Sequence, residues 1–285
     1  MTQIESNDHH THITSKHCWY DLKLKEVWQY KDLIVLFTKR SFQVTYKQTI
    51  LGPAWIFLNP FITSVIYTLV FGEIAGIATD GVPKILFYMS GTAIWSFFSS
   101  CVTRNARTFT SNAHVFGKVY FPRLTVPLSN VLSSIIQFCI QMIMLGFFFV
   151  YFLIQGQVEP HWELWPFIPL ILIVLGVIGM GVGIIVSSLT TKYRDLSILV
   201  NFGVQLWMYG TPIVYPLSTL SEGMMKSVIM INPVTLPVEL FRYILLGQGT
   251  INVNFLIWPV IFAIIVAVFG IMIFNKVERT FMDTV

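Results

Sequence analysis

Apolar residues fill long stretches of this chain, and their spacing changes once, near residue 50. Upstream, Val27, Tyr30, Ile34, Phe37, Ser41 and Val44 step by three or four, while Lys25, Gln29, Asp32, Lys39, Gln43 and Lys47 fall elsewhere on the wheel. That period predicts an amphipathic helix over residues 22–47. The helix is basic and has Trp19 and Trp28 for company, which suits one lying along a membrane surface. Downstream the pattern becomes continuous. Six runs follow: Gln48–Gly72, Ile85–Thr103, Leu124–Val158, Leu164–Thr191, Leu196–Ser221 and one centred on Phe255–Phe274. A crossing needs about 20 predominantly apolar residues. The expected spans lie near 53–72, 85–103, 124–153, 164–190, 196–215 and 255–274. Between the fifth and sixth, Pro212, Pro216, Pro233 and Pro237 break the chain into pieces such as Ser227–Ile231 and Leu236–Leu246. Pieces this short predict re-entrant helices on the outer side. The fold class expected is an all-α polytopic membrane protein with an interfacial N-terminal helix. Residues 1–21 are expected to form a flexible tail. The first apolar run starts near residue 50, so no cleavable signal peptide is expected.

The change of pattern occurs at Tyr46-Lys47-Gln48-Thr49-Ile50-Leu51-Gly52-Pro53-Ala54-Trp55. Gly52 suits a turn because it takes backbone angles that other residues resist. Pro53 suits the first position of a new helix, where its missing N–H goes unused. Trp55 belongs at a headgroup boundary. Asn59-Pro60 predicts a kink inside the first span.

Composition agrees with a membrane protein: 55% hydrophobic residues, 11% charged, mean hydropathy +0.70. Soluble domains carry about 25% charged residues. The pI near 8.9 is not a nucleic-acid signature, because the basic residues flank apolar runs instead of forming one patch. With the N-terminus inside and six crossings, 15 of the 18 Lys and Arg residues fall inside. Only Lys84, Lys226 and Arg242 fall outside, with Glu73, Asp80, Glu159, Glu163, Glu222 and Glu239. This asymmetry predicts two cytoplasmic termini. Cys18, Cys101 and Cys139 form no CxxC pattern, and His9, His10, His12 and His17 lack partners at fixed spacing, so no metal site is expected.

Catalytic chemistry has little support. No G-x-x-x-x-G-K-[ST] phosphate loop exists, so ATP hydrolysis would fall to another subunit. Gly176, Gly179, Gly181 and Gly183 sit among Val, Ile and Met, which points to close helix packing and not to a nucleotide loop. Span centres hold no acidic residues of the kind that couple ions. Glu239 and Arg242, three apart, suit either a local helix pair or an outer gate. Tyr88, Trp95, Trp207, Tyr209 and Tyr215 are candidate channel aromatics, since sugar rings pack their C–H faces on aromatic faces. Each alone suits an interfacial or core role better. Two loops combine charge with aromatic residues, as docking surfaces do: Arg104–Arg123 and Thr191–Leu196.

The motif from Tyr46 to Trp55 resembles the start of the permease subunit of polysaccharide-exporting ABC transporters, which move O-antigen, capsule or teichoic acid chains. Lys118-Val119-Tyr120-Phe121-Pro122-Arg123, Tyr193-Arg194-Asp195-Leu196, Asn232-Pro233, Phe241-Arg242 and Asn275–Asp283 resemble further segments of that family in the same order. The resemblance implies a homodimer with two ATPase subunits and a channel between the permease copies. It implies a lipid-linked glycan as cargo, O-antigen first, in the bacterial inner membrane. ATP and Mg would be used by the partner, with no cofactor bound by this chain. Asn112, His114, Phe116, Lys118, Tyr120, Tyr193, Arg194 and Asp195 become candidate ATPase-coupling residues. Lys39, Arg40, Lys47, Leu51 and Gly52 become candidates for admitting the cargo headgroup. An ABC permease for drugs or small lipids, and a membrane-embedded glycosyltransferase, are the alternative classes.

Overall fold

A computed structural model describes residues 24–47, 52–119, 121–191, 193, 195–249 and 256–284. Among them every regular element is a helix. The surface segment is a short helix α1 (Leu24–Gln29) and a longer α2 (Lys31–Tyr46), broken at Tyr30. Val27 and Thr38 are buried, and Leu33, Ile34 and Phe37 half-buried, on one side. Val44 and Trp28, both 74% exposed, project away from the body.

Gly52 adopts φ +51° at the turn before α3 (Trp55–Tyr67), in the left-handed region that a side chain would resist. Pro60 lies within α3, and a wider π-helical coil over Thr68–Ile74 continues it. The Lys84 ammonium meets the Gly72 carbonyl at 2.8 Å and the Glu73 carboxylate at 3.0 Å, satisfying the loose end of that coil. Helix α4 (Lys84–Ala106) is the central helix, with 16 of its 23 residues buried. A helix covered on all sides must be surrounded by the others. Around it stand α3, α6 (Thr125–Ile154), α7 (Ile168–Thr190), α8 (Leu196–Tyr209) and α10 (Thr235–Leu246). Helix α5 (Thr108–Phe116) follows α4 directly.

The glycines of α7 decide how closely α4 and α11 (Ile257–Thr284) approach it. A Cβ on Gly179 would lie 2.7 Å from Cys101 Cβ, and one on Gly183 would lie 2.8 Å from the Val102 carbonyl. A Cβ on Gly181 would lie 2.7 Å from Val266 on α11. The glycine-rich run is therefore a packing surface, as its apolar neighbours predict.

Five helical stretches are long and apolar enough to cross a membrane, or six if one bent pair counts. Here the structure departs from the expected span near 196–215. Helix α8 ends at Tyr209, after 14 residues. At 1.5 Å per residue it reaches about 21 Å, short of the roughly 30 Å hydrocarbon core. Gly210 and Pro212 explain the stop: proline has no N–H and disfavours the helical conformation in the residue before it. The bent pair is α9 (Met224–Ile231) with α10, inclined at 88°. The bend falls at Asn232, whose ψ of 120° is the extended value that Pro233 imposes. None of α9 is buried, whereas most of α10 is.

Two clusters hold the molecule together. The larger surrounds α4 and includes Phe97, Phe98, Phe138 and Phe241. The smaller lies at the end carrying α2 and α5, where Phe109 stacks on Phe274 at 4.7 Å and Phe121 meets both Phe37 and Phe116. This end also carries Lys39, Arg40, Arg104, Arg107, Lys118 and Arg123, and is called the basic end below. The opposite, acidic end carries Glu73, Asp80, Glu159, Glu163 and Glu222.

Candidate functional site

Three features combine position with chemistry: a seam and cleft inside the helical body, a groove at the basic end and a junction at the acidic end.

The seam runs between α4 and α6. Arg104 Nε donates to Ser100 Oγ at 3.0 Å, and Ser134 Oγ donates to the same Ser100 oxygen at 3.1 Å. Ser100 in turn donates to Gln137 Oε1 at 3.4 Å, and Gln141 Nε2 donates to Ser96 Oγ at 3.3 Å. Higher up, Ser64 on α3 and Thr92 on α4 share a hydrogen bond of 2.8 Å. These groups sit inside apolar runs, so their polar atoms must find one another. Beside the seam, under α3, lies a cleft of about 350 Å³. Trp55, Asn59, Trp95, Ser96 and Gln141 line it, and among the described residues no Asp, Glu, Lys or Arg does. Of the candidate channel aromatics, Trp95 is therefore a cleft wall, although only 7% exposed. Tyr88 is fully buried against Phe87 and against Tyr67, a cleft residue, and does not itself line the cleft.

At the basic end, a groove of about 250 Å³ runs between α2 and α5. Arg40 and Ser41 form one wall, and Ser111 and Asn112 the other. The fold thus joins one residue proposed to admit cargo with one proposed to couple to an ATPase, 72 positions apart in sequence. Asn112 donates to the Thr108 carbonyl at 3.0 Å. His114 and Lys118 project into solvent, as do Tyr193 and Asp195 on the nearby turn after α7. Phe116 does not. It is 2% exposed, packed on Phe109 and Phe121 with the Arg123 guanidinium 5.5 Å from its ring centre. It faces the helical body from the inner side of α5. Lys39 and Lys47 are exposed. Leu51, Tyr120 and Arg194 lie outside the described residues.

At the acidic end, Glu239 and Arg242 are buried, at 3% and 2% exposure. The Arg242 guanidinium donates to the carbonyls of Pro212 and Ile213, lies 3.5 Å from Glu239 Oε1 and covers the Phe87 ring at 3.8 Å. Gly91 on α4 leaves room for it; a Cβ there would strike the guanidinium. The pair locks α10 to the break after α8, inside one protomer. Asn232, part of the Asn232-Pro233 motif, joins the same parts. Its side-chain amide donates to the Gly210 carbonyl at 3.0 Å and to Thr211 Oγ1 at 2.9 Å, and accepts from Trp207 Nε1 at 3.0 Å. Trp207 is thus a structural partner of Asn232. Tyr209 and Tyr215 face a larger hollow of about 600 Å³ shared with Gly76, Met225 and Ile229. Ser218 donates to Asp80 at 2.6 Å and ties the loop after α8 to the loop before α4.

The seam had a signal in the sequence: Thr92, Ser96 and Ser100 within the second run and Arg104 just after it recur every four residues, and Asn130, Ser134, Gln137 and Gln141 every three or four within the third.

Comparison with known proteins agrees with this architecture. The family model described as ABC-2 type transporter matches residues 32–246. The chain is 32% identical over 253 residues to an "O-antigen export system permease protein RfbA" of Klebsiella pneumoniae, covering 88% of this chain and 94% of that one. A protein of the same name from Myxococcus xanthus is 26% identical over 214 residues, covering 74% of this chain and 78% of its own length. The matched region spans α2 through α10, the surface helix, the central α4 and the acidic-end junction alike, and the chain belongs to the ABC-2 type transporter family.

Proposed function

We propose that the chain is the membrane-spanning permease of an ATP-driven exporter that carries lipid-linked O-antigen across the bacterial inner membrane. The observation that carries this reading is similarity along nearly the full length of curated relatives named O-antigen export permeases. Two copies work with two ATPase subunits, which use ATP and Mg, and this chain performs no chemistry of its own. Both termini lie in the cytoplasm, so the basic end faces inward, as the distribution of Lys and Arg favours.

The parts have natural roles in such a machine. Lys39, Arg40 and Lys47, exposed on α2, attract a phosphate-bearing headgroup at the inner surface. Helix α5 presents His114 and Lys118 to the ATPase, and its buried Phe109 and Phe116 carry force into α11 and α2. The passage lies between two copies. Support for that comes from α8, where Asn201 and Gln205 are exposed at a four-residue interval on a helix otherwise bare of polar cover. Exposed amides are unfavourable against lipid, whereas they suit a second chain or a wet passage. A neutral, aromatic lining holds sugars weakly enough for them to slide.

Deletion of the gene is the direct test. Finished lipid-linked polymer should accumulate inside the cell, and Gly52→Trp, which places a bulky side chain at φ +51°, should reproduce that phenotype. Polymer at the surface of the deletion strain, or no polymer made at all, overturns the reading.

A further inference from the structure

The cleft beneath α3 has a composition that neither a lipid-facing surface nor a packed core requires. Its floor is Gln141, 6% exposed, whose Nε2 is engaged by Ser96 while Oε1 has no hydrogen-bond partner. A buried acceptor in an apolar body is costly unless something donates to it. One wall is Trp95. The rim is open: Trp55 is 40% exposed, and Asn59 is exposed as well. The volume of about 350 Å³ lies near the small end of the roughly 300–1,000 Å³ range of ligand sites.

Resting on the export reading above, we infer that this cleft is a sugar-binding alcove within each protomer. It takes one or two rings of the cargo glycan, with a hydroxyl donating to Gln141 Oε1 and a ring face lying against Trp95. An acyl chain satisfies the aromatic wall but offers no donor to Gln141. A phosphate finds no cation there, since among the described residues no Lys or Arg lines the cleft. A hydroxyl-rich ring with apolar C–H faces meets both demands. The alcove takes its lining from α3, α4 and α6, with Met208 of α8, all of one chain. It gives the glycan a resting point that remains present while the two copies separate or approach.

The test uses the assembled exporter in cells carrying isotope-labelled lipid-linked glycan, with the partner ATPase inactivated to hold cargo in place. A benzoylphenylalanine photocrosslinker replaces Asn59 at the rim, Tyr209 in the acidic-end hollow, or Phe147, which is 75% exposed on α6. Glycan label is expected at 59 and absent at 147. Gln141→Leu should lower labelling at 59 by about fivefold, the effect of one lost hydrogen bond. Label at 209 with none at 59 overturns the alcove and leaves the export reading standing. Label at none of the three positions overturns both. If Gln141→Leu fails to accumulate, the contrast between 59 and 147 in the otherwise unaltered chain still decides.

Discussion

Arg242 shows how a single residue fixes the acidic end. Its guanidinium satisfies two carbonyls freed by Pro212 and Ile213, and it neutralises Glu239 where water does not reach. Arg242→Ala leaves a buried carboxylate without its partner, and loss of one member of such a pair costs about 3–5 kcal/mol. We expect a lower melting temperature in detergent and reduced membrane accumulation. A double change to Met at 242 and Leu at 239 should recover part of that loss, because no charge is then stranded. Asn232→Ala should be milder, about 1–3 kcal/mol, from the donors and acceptors left unpaired around Gly210, Thr211 and Trp207. An Arg242→Ala variant as stable as the parent would show that the pair is dispensable.

Among elements, α7 and α5 make the clearest contrasts. The close face of α7 tolerates no side chain at Gly183, where even a Cβ would lie 2.5 Å from Asn105 Cβ. Gly183→Val should overpack the α4 contact and cost about 1–3 kcal/mol or more. Gly146→Ala on α6, with nothing within 4 Å, should be silent. Thermal melting of both variants checks this. On α5 the exposed and buried sides separate two phenotypes. His114→Glu with Lys118→Glu should leave the protein folded in the membrane but lower export and ATPase copurification. Phe116→Asp places a charge inside the basic-end cluster, so protein level itself should fall. Wild-type export in the double variant would remove α5 from the coupling role.

For the whole molecule, the assembly of two copies is the property to test. In a background with Cys18, Cys101 and Cys139 replaced, Gln205→Cys on α8 should form an oxidative crosslink between copies. Phe147→Cys, on the exposed side of α6, should not. Monomer at both positions under oxidant would place the passage elsewhere. Within the chain, α3 and α8 are thinly covered while α4 is enclosed.

Sequence determined much of this molecule, because the bilayer imposes simple demands on it. Length and apolarity mark the helices, and the glycines of α7 announce a close contact. The ordered motifs from Tyr46 to Asp283 carried the family. Local chemistry also predicted the Gly52 turn and the break at Asn232-Pro233. What the sequence withheld depends on distance across the fold. Arg242 and Glu239 looked as much like an outer gate as a local pair, and their burial follows from the carbonyls of Pro212 and Ile213, about 30 residues earlier in the chain. Phe116 looked like a docking residue until Phe109, Phe121 and Phe274 gathered beside it. The shortness of α8, and the meeting of Arg40 with Asn112 in one groove, likewise needed neighbours that periodicity does not identify. Spacing along a helix fixes which residues share a face; only tertiary packing decides what that face meets.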